Sequence, residues 1–464
     1  MSVDALPRPA APHDTGVLTV RGGVPVDGTV SVSGFKHVQV LAVAYAIGAG
    51  RRTVLTNVPD ILETRTYLRL LPQLGISTTQ MGSSLLLDPG TGTGSRMRAG
   101  QTLPESAAAI HGSLYLLPAL LAAQGRVGFS AFGGCPIGGG SDGGRPWRHI
   151  VRVLEHFGAR YDERRRELTL GHQGFQAGEL DLALFADDPR NLTGPEYSGA
   201  TKAALLAAAF ADGTTVLHRP YQKAEARALL DLIAADGATV TRTGTSVEIT
   251  PRPAGRSAVL TYDLPPDLLE VVTWATIAAV TGGTVHLANV TPRTIEHGLG
   301  PEYALWRRAG LTFTPEASGV TVAGPDHGAF APLPEIRVDP ASVYSDSQPL
   351  FAVLATRCPG PTRIVDGVWS GRYHYLDGLT ALGADARRVP DGIAIGRSGL
   401  HAPAAGAHVH ATDLRCAAAL VVAALASSGG AVHISGARHL ERGYDRLPAK
   451  LEACRAGSAL QAAL

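Results

Sequence analysis

The sequence predicts an α/β protein made of six repeats of one α/β unit, grouped as two lobes of three units each. The first observation is a recurring helix-like segment that ends in a leucine or alanine cluster, followed by a glycine and a strand. Its copies end near Gly75, Gly158, Gly237, Gly310, Gly383 and, in degenerate form, Gly457. The interval of roughly 75–80 residues is longer than a solenoid period and suits a repeated α/β unit.

The second observation is an alanine-rich apolar helix in the other half of each unit, followed by a glycine and a β-branched strand. Clear copies are AVAYAIGAGRRTVLTNVP (42–59) and TIAAVTGGTVHLANV (276–290). A helix without a polar stripe is buried on most sides, a glycine after it caps its end, and Thr/Val runs favour strands. The pattern therefore predicts buried helices with sheets outside them. A Pro/Gly-rich break at 251–256 predicts the join between the lobes, with a ligand cleft between them.

Composition excludes several classes of protein. The chain has 464 residues with 41 basic and 40 acidic side chains, so no general attraction to nucleic acid or membrane is expected. The four cysteines form no CxxC pair and predict neither a zinc site nor a disulfide framework. Residues 1–16 lack the pattern of a secretory signal and are interpreted as a disordered lead. No apolar run approaches the ~18 residues that span a bilayer, and a cytoplasmic protein is expected.

A glycine-rich stretch, AFGGCPIGGGSDGGRPWRHI (131–150), carries one cysteine, Cys135. Dense glycine widens the accessible backbone angles and removes side chains. The stretch is typical of a lid loop that presents a thiol to a ligand. A surface linker with an incidental cysteine is the alternative. The other three cysteines, which lie near apolar or helical segments, are expected to be buried thiols.

Motifs in order along nearly the whole chain resemble those of the enolpyruvyl transferases. This family includes UDP-N-acetylglucosamine 1-carboxyvinyltransferase and the shikimate-pathway synthase, and the resemblance is greater to the former. The motifs are VRGGVPVDGTVSVSGFKH (20–37), NVPDILETRTYLRLLPQLG (57–75), FGGCPIG with GRP, EYSGATKAALLAAAFADGTT (196–215), YSDSQP (344–349), ATDLR (411–415) and HLERGYDRL (439–447).

The resemblance implies a two-lobed inside-out α/β barrel fold with one lobe inserted into the other. Lobe 1 is then discontinuous, consisting of residues 17–35 and 263–464, and lobe 2 comprises residues 36–262 and carries the Cys135 loop. The implied reaction transfers the enolpyruvyl group of phosphoenolpyruvate to a hydroxyl group and releases phosphate. It requires cations for the phosphate and carboxylate, an acid for the methylene carbon and a base for the acceptor. No metal or organic cofactor is implied.

The resemblance also assigns roles to individual residues. Lys36, Cys135 and Asp346 match catalytic positions, with Cys135 as acid or adduct-forming thiol and Asp346 as the base. The matches to phosphoenolpyruvate-binding positions are Lys36, Arg145, Arg415 and Arg442. The acceptor-binding positions implied are His37, Pro146, Tyr197, Ser198, Gly199, Asp346 and Arg372. Asp413 and Glu441 are expected to orient the neighbouring arginines.

Simpler interpretations stand beside these roles. Ser345-Asp346-Ser347 is also typical of a helix N-cap, a role that can coexist with catalysis. Lys36 and Arg145 match the pattern of solvated surface cations. An arginine beside Asp or Glu, as in ATDLR and LERGY, is often a surface ion pair.

The sequence departs from the family pattern near the acceptor. His37 replaces an asparagine, His111 replaces an arginine, Ser370-Gly371 replaces Glu-Asn, and the loop between Cys135 and Arg145 is longer. If the two histidines line the cleft, one cation has become titratable. Tyr197 adds bulk to the uridine-nucleotide segment.

These departures suggest an altered acceptor, and the hypothesis is a small uridine nucleotide such as UMP, as in the family's branch that serves nucleoside-antibiotic pathways. The alternatives are a UDP-N-acetylglucosamine enzyme of cell-wall synthesis, an inactive nucleotide-binding regulator, and a structural repeat protein. Intact Lys36, Cys135, Arg145, Asp346 and the two motif arginines argue against the last two. The oligomeric state is not predicted.

Overall fold

Six α/β units build the protein in a computed structural model that describes residues 16–90, 102–134, 137, 145–253, 259–456 and 460–463. Each of the first five units runs helix, strand, helix and then a two-stranded hairpin, and the last unit is shortened. The α-helices are α1 (Lys36–Gly48), α2 (Leu62–Leu70), α3 (Leu116–Gln124), α4 (Arg148–His156), α5 (Tyr197–Ala209), α6 (Ala224–Ala235), α7 (Leu268–Thr281), α8 (Pro292–Gly298), α9 (Gly300–Ala309), α10 (Gln348–Ala355), α11 (Tyr375–Ala381), α12 (Leu414–Ala426) and α13 (Leu447–Leu451).

The strands form six main sheets of three or four strands each and one short two-stranded sheet. In chain order they are β1 (Val17–Val20), β2 (Gly28–Val30), β3 (Thr53–Thr56), β4 (Ser77–Met81), β5 (Ser84–Asp88), β6 (Arg126–Gly128), β7 (Arg160–Asp162), β8 (Glu167–Thr169), β9 (Glu179–Asp181), β10 (Thr215–His218), β11 (Thr239–Thr243), β12 (Ser246–Thr250), β13 (Leu260–Asp263), β14 (Thr284–Leu287), β15 (Thr312–Glu316), β16 (Gly319–Ala323), β17 (Glu335–Val338), β18 (Thr362–Asp366), β19 (Ala386–Val389), β20 (Gly392–Ile395), β21 (His401–Ala402), β22 (Ala407–His410), β23 (Ser428–Gly429), β24 (Val432–Ser435) and β25 (Leu460–Ala463).

The alanine-rich helices are buried, as their composition predicts. Every residue of α7 from Leu268 to Val280 is buried, and so is every residue of α12 from Leu414 to Leu425. Because such helices present apolar atoms all round, they pack side by side while the sheets cover them from outside. In one group α7, α10 and α12 pack together, and in the other α1 packs on α3, α5 and α6. Cys358, Cys416 and Cys454 are buried, which confirms the prediction for them.

The strand pairings divide the six sheets into two groups. Strands from residues 53–263 form three sheets, with the orders β13-β3-β5-β4, β6-β8-β7 and β11-β12-β10-β9. The N-terminal strands pair instead with late strands: β1 lies between β24 and β25, and β2 pairs in parallel with β14. These pairings support the predicted lobes, although β13 in the lobe 2 sheet extends through Asp263, one residue past the predicted limit. The exact boundaries stay a prediction.

The chain passes between the two groups twice, and the two crossing segments pair with each other. Phe35 N donates to Pro265 O at 2.8 Å, and Asp267 N donates to Ser33 O at 2.8 Å. Gly34 lies at the centre of this pairing, where a Cβ atom would lie 1.9 Å from the carbonyl oxygen of Asn57. Only a residue without a side chain fits at this crossing, which leads directly into Lys36 and α1.

We expect Gly34→Ala to lower the free energy of unfolding by about 1–3 kcal/mol, because the backbone must shift to accept the methyl group. Urea denaturation of the full chain measures the change. The control is Gly178→Ala, whose Cβ would meet nothing within 4 Å and which is expected to stay within about 0.5 kcal/mol of the parent protein. Equal effects of the two substitutions would contradict the close approach at Gly34.

Three features predicted from the sequence fall wholly or partly outside the described residues. These are Cys135 with residues 136 and 138–144 of the glycine-rich stretch, residues 1–15 of the lead, and residues 254–258 at the predicted join between the lobes. Among the helices of the described segments, none combines the length and apolarity that crossing a lipid bilayer demands.

Candidate functional site

A cavity lies between the two groups of sheets, where several helices begin. Helices α1, α5 and α12 meet its wall at their first residues, Lys36, Tyr197 and Leu414. Helix N-termini carry a partial positive charge and exposed amide donors, so this convergence favours anions. Counted out to its mouth, the cavity holds about 1370 Å³ of empty space.

Direct contacts join the two groups of sheets around this cavity. Lys36 Nζ donates to Arg442 O at 2.8 Å, and Arg442 Nη2 donates to Ala109 O at 3.1 Å. Gly194 N donates to Gly367 O at 2.8 Å on another wall. Each of these bonds crosses from one group to the other, so the two groups are in direct contact around the cavity.

Three of the four cations predicted for phosphoenolpyruvate line the cavity: Lys36, Arg145 and Arg442. Lys36 Nζ lies 2.9 Å from Glu63 Oε1, and the guanidinium carbon of Arg145 lies 5.9 Å from the centre of the Trp369 ring. Glu63 is only 4% exposed, so it fixes the ammonium at the first turn of α1. Sequence reasoning missed Glu63, although it lies inside the quoted 57–75 motif.

Asp346 is held by two buried arginines. Arg372 Nη1 donates to its Oδ1 at 2.6 Å, and Arg415 Nε donates to its Oδ2 at 3.1 Å. Burial alone would raise the pKa of this carboxyl, but the two guanidinium groups hold the pKa well below its usual value. The Ser345-Asp346-Ser347 segment does precede a helix, as its N-cap interpretation predicts, but the cap residue of α10, which begins at Gln348, is Ser347 and not Asp346. The carboxylate is therefore available to the cavity, which it lines.

Arg415 is the predicted phosphoenolpyruvate-binding residue that does not line the cavity. It is 1% exposed, and its Nη1 donates to Tyr444 Oη at 2.8 Å. The guanidinium of Arg415 is thus hydrogen-bonded to both Asp346 and Tyr444. Direct binding of substrate by Arg415 stays a prediction, and it would require this side chain to move. Asp413 caps α12 and lies 3.6 Å from Arg372.

Glu441 does not orient Arg442 in the structure. Its Oε2 accepts a hydrogen bond from Arg65 Nη1 at 3.0 Å, on the exposed surface. This expectation from the sequence was wrong, because the carboxylate points towards α2 rather than towards the cavity.

His37 and His111 both line the cavity, so they are not ordinary surface or core histidines. Burial lowers the pKa of His37 to about 3, and burial together with Arg145 lowers the pKa of His111 well below its usual value. Both rings are therefore expected to be neutral at pH 7. The arginine expected at position 111 has thus been replaced by a neutral ring, not by a titratable cation.

The uridine-nucleotide segment lies at the first turn of α5, with Ser198 and Gly199 on the cavity wall. Tyr197 Oη donates to Arg219 O at 2.6 Å, which turns the bulky side chain into the packing of its own unit. A Cβ atom at Gly199 would lie 2.3 Å from His149 Nε2, so α5 begins directly against that ring. Pro146 and His149 continue the same wall, and His149 is a site residue that sequence reasoning missed.

His149 makes stability depend on pH, because burial lowers its pKa to about 4. Below its ordinary pKa of 6.5 the unfolded chain binds a proton that the folded chain excludes, so stability falls as the pH drops from 6.5 towards 4. We expect about 2 kcal/mol of loss from this side chain between pH 7 and pH 4.5. His149→Leu removes that part of the loss, as measured by urea denaturation at both pH values.

The control for this prediction is the exposed His172, whose replacement by leucine should leave the acid loss unchanged. If His149→Leu and the parent protein lose equal stability on acidification, His149 is not the group that titrates.

The described part of the lid stretch borders the cavity, because Gly134 and Ile137 line it together with Arg145. Cys135 lies between them in the chain but outside the described residues. Its role as acid or adduct-forming thiol therefore stays a prediction. Taken together, the fold and the cavity define an enzyme that binds anionic substrates between two groups of α/β units and holds a carboxylate beside them.

Comparison with known proteins identifies the class. Residues 20–451 match the family described as EPSP synthase (3-phosphoshikimate 1-carboxyvinyltransferase). UDP-N-acetylglucosamine 1-carboxyvinyltransferase of Caulobacter vibrioides is 31% identical over 450 residues, covering 94% of this chain and 96% of that protein. The chain therefore belongs to the enolpyruvyl transferase family, and the resemblance predicted from its motifs is confirmed.

Solved structures confirm the fold. The crystal structure of the enolpyruvyl transferase NikO from Streptomyces tendae superposes with a TM-score of 0.84 at 30% identity, covering 97% of this chain and 99% of that one. EPSP synthase from Acinetobacter baumannii superposes with a TM-score of 0.67 at 20% identity, covering 97% and 100%. The inside-out α/β architecture of six units, three per lobe, is thus the fold of this family.

Proposed function

We propose that this enolpyruvyl transferase moves the enolpyruvyl group of phosphoenolpyruvate to a hydroxyl group of a uridine nucleotide of the UMP type and releases phosphate. Lys36, Arg145 and Arg442 are the cations that bind the phosphate and carboxylate of phosphoenolpyruvate. Asp346 is the base that takes the proton of the acceptor hydroxyl as its oxygen bonds to the central carbon of phosphoenolpyruvate. Cys135 delivers a proton to the methylene carbon. Loss of that proton and of phosphate then restores the double bond in the product.

The observation that carries the altered acceptor is the position of His111 on the cavity wall. Where the family pattern has an arginine, the cavity wall here presents a half-buried imidazole whose pKa lies well below its usual value. An acceptor with a full diphosphate sugar would lose a cationic contact at this point. His37 beside Asp346 changes a second acceptor contact from an amide to a ring, with Nε2 lying 3.8 Å from Asp346 Oδ2. Both changes support a smaller nucleotide, and with it a role in nucleoside-antibiotic synthesis in the cytoplasm.

The second candidate acceptor is UDP-N-acetylglucosamine. The names of the curated relatives favour it, since proteins carrying that activity match 94% of this chain at 28–31% identity. At this identity an acceptor site can diverge while the fold and the chemistry of transfer are kept. The two candidate acceptors require different contacts at His37 and His111, so an activity assay with each acceptor distinguishes them.

The test is incubation of the full chain with phosphoenolpyruvate and, in parallel, UMP, UDP-N-acetylglucosamine or shikimate 3-phosphate. Free phosphate and product mass are followed together, and the Asp346→Asn variant serves as the control without the base. We expect UMP alone to gain the mass of one enolpyruvyl group. Efficient turnover of UDP-N-acetylglucosamine without turnover of UMP would overturn the altered acceptor. Absence of phosphate release with all three acceptors would count against UMP as well.

A further inference from the structure

Three of the four lysines in the sequence line the cavity, although the chain has 41 basic residues in all. Lys36 has a proposed role, but Lys202 and Lys223 have none. Lys202 belongs to α5, and Lys223 immediately precedes α6. We define the lysine cluster as Lys202, Lys223, Tyr221, Glu225 and Tyr344. None of its members is more than 9% exposed, and all line the cavity.

The contacts within the cluster pair Lys202 with a carboxylate at short distance but leave Lys223 without one, although the charges of more distant carboxylates act on it. Lys202 Nζ lies 3.0 Å from Glu225 Oε1, and Tyr344 Oη donates to Glu225 Oε2 at 3.1 Å. The charge of Glu225 is thus used by Lys202 and Tyr344. Lys223 Nζ lies 4.1 Å from the centre of the Tyr344 ring, and within the described segments no carboxylate lies within ion-pair distance of it.

A buried ammonium that faces a ring on one side and a cavity on the other is costly unless an anion completes its shell. The carboxylates that act on Lys223 from a greater distance already accept hydrogen bonds from other groups. Asp339, which also lines the cavity, accepts one from Ala341 N at 2.8 Å. Glu302 accepts hydrogen bonds from Tyr344 N at 2.7 Å and from Ser347 Oγ at 3.0 Å. Asp366 accepts one from Ser345 Oγ at 2.6 Å. The cluster is therefore built to receive an anionic group from the cavity.

We propose that the lysine cluster is the subsite for the phosphate monoester of the acceptor nucleotide, with Lys223 as its direct ionic partner. This assignment rests on the proposed uridine-nucleotide function. Lys202 and the hydroxyl groups of Tyr221 and Tyr344 border the same pocket and limit its size. On this proposal the bound group is a terminal phosphate, and we expect UMP to be preferred to a diphosphate that continues into a sugar.

The position of the lysine cluster allows the nucleotide and phosphoenolpyruvate to bind side by side in the same cavity. The charges of Lys36, Lys202, Glu225 and Asp346 all act on the ring of His37. His37 therefore lies within reach of both the phosphoenolpyruvate cations and the lysine cluster. A nucleotide whose phosphate is bound at Lys223 can then present a ribose hydroxyl towards Asp346, next to phosphoenolpyruvate.

The test compares UMP with uridine by titration calorimetry on the parent protein and on Lys223→Gln. Ionic hydrogen bonds to a phosphate contribute about 1.5–3 kcal/mol each. We expect the parent protein to bind UMP at least about 100-fold more tightly than uridine. In Lys223→Gln, the affinity for UMP should fall about 10- to 100-fold, with affinities for uridine and phosphoenolpyruvate unchanged. The thermal midpoint should not fall, because the substitution removes a buried charge without an ionic partner.

The matched control is Lys450→Gln, which removes the remaining lysine. Lys450 Nζ lies 2.6 Å from Glu270 Oε1 and away from the cavity wall, so this variant should lose stability but keep the preference for UMP over uridine. An unchanged preference in Lys223→Gln would overturn the subsite, and so would an equal loss of affinity for UMP and uridine. If UMP binds through Lys223 but releases no phosphate from phosphoenolpyruvate, the subsite is supported and the proposed reaction fails.

Discussion

Asp346→Asn is expected to lower kcat by about 10²- to 10⁴-fold, the usual contribution of a positioned general base. The carboxylate lies 2.6 Å from Arg372 and 3.1 Å from Arg415, and asparagine keeps its shape while losing its charge and basicity. The two arginines lose their counter-charge, so the free energy of unfolding should also fall by about 3 kcal/mol. Steady-state kinetics with the preferred acceptor and urea denaturation measure the two effects.

The pKa of Asp346 sharpens this prediction. Because the pKa lies well below 3.8, the carboxylate stays ionised at every pH at which an assay is practical. A loss of activity between pH 7 and pH 5 must therefore come from another group, and the acid limb of the profile should be the same in Asp346→Asn as in the parent protein.

A neighbouring carboxylate provides the control. Asp366 accepts hydrogen bonds from the amides of Val368 and Trp369 at 2.8 and 2.9 Å, so Asp366→Asn should reduce stability and leave kcat within about threefold. If Asp346→Asn retains kcat within tenfold of the parent value, Asp346 is not the base. The two variants thus separate loss of structure from loss of chemistry.

Lys36→Met is expected to lower kcat/KM for phosphoenolpyruvate by about 10³-fold. The ammonium at the start of α1 makes ionic hydrogen bonds to the substrate, each contributing about 1.5–3 kcal/mol. Its removal also leaves the buried Glu63, 2.9 Å away, without a partner, which destabilises the fold. Steady-state kinetics and isothermal titration with phosphoenolpyruvate measure the first consequence, and thermal unfolding measures the second.

The double variant Lys36→Met with Glu63→Gln separates the two effects. It removes both charges, so the thermal midpoint should recover towards the parent value while phosphoenolpyruvate binding stays weak. Binding within threefold of the parent protein in the double variant would show that Lys36 acts only through Glu63.

The repeated units could be predicted from sequence because each repeats two local signals, an apolar alanine-rich helix and a glycine that ends a helix. Gly75, Gly237, Gly310 and Gly383 all adopt positive φ angles at such ends, as the pattern requires. The crossing at Gly34 could not be predicted in the same way. Its close approach to Asn57 is a long-range contact without a local pattern.

Site residues that belong to a sequence motif could be predicted, whereas those that reach the cavity only through the packing of helices could not. Lys36, Arg145, Asp346 and Arg442 follow from motifs, and the structure brings them to one cavity. Lys202 lies within the alanine-rich ATKAALL segment, where a single lysine predicts only a helix position. Its ion pair with Glu225 forms only when α5 and α6 pack. The neutrality of His111 likewise depends on burial, which sequence does not give.

The pairing of β1 also sets an order for synthesis of the chain. Strand β1 is held between β24 and β25, so residues 17–20 have no strand partners until residues 432–435 and 460–463 have been synthesised. The three sheets from residues 53–263 have all their strands much earlier. During synthesis the three sheets of residues 53–263 can therefore be complete while β1 is still unpaired. A product truncated before residue 432 exposes the unpaired β1 to other chains.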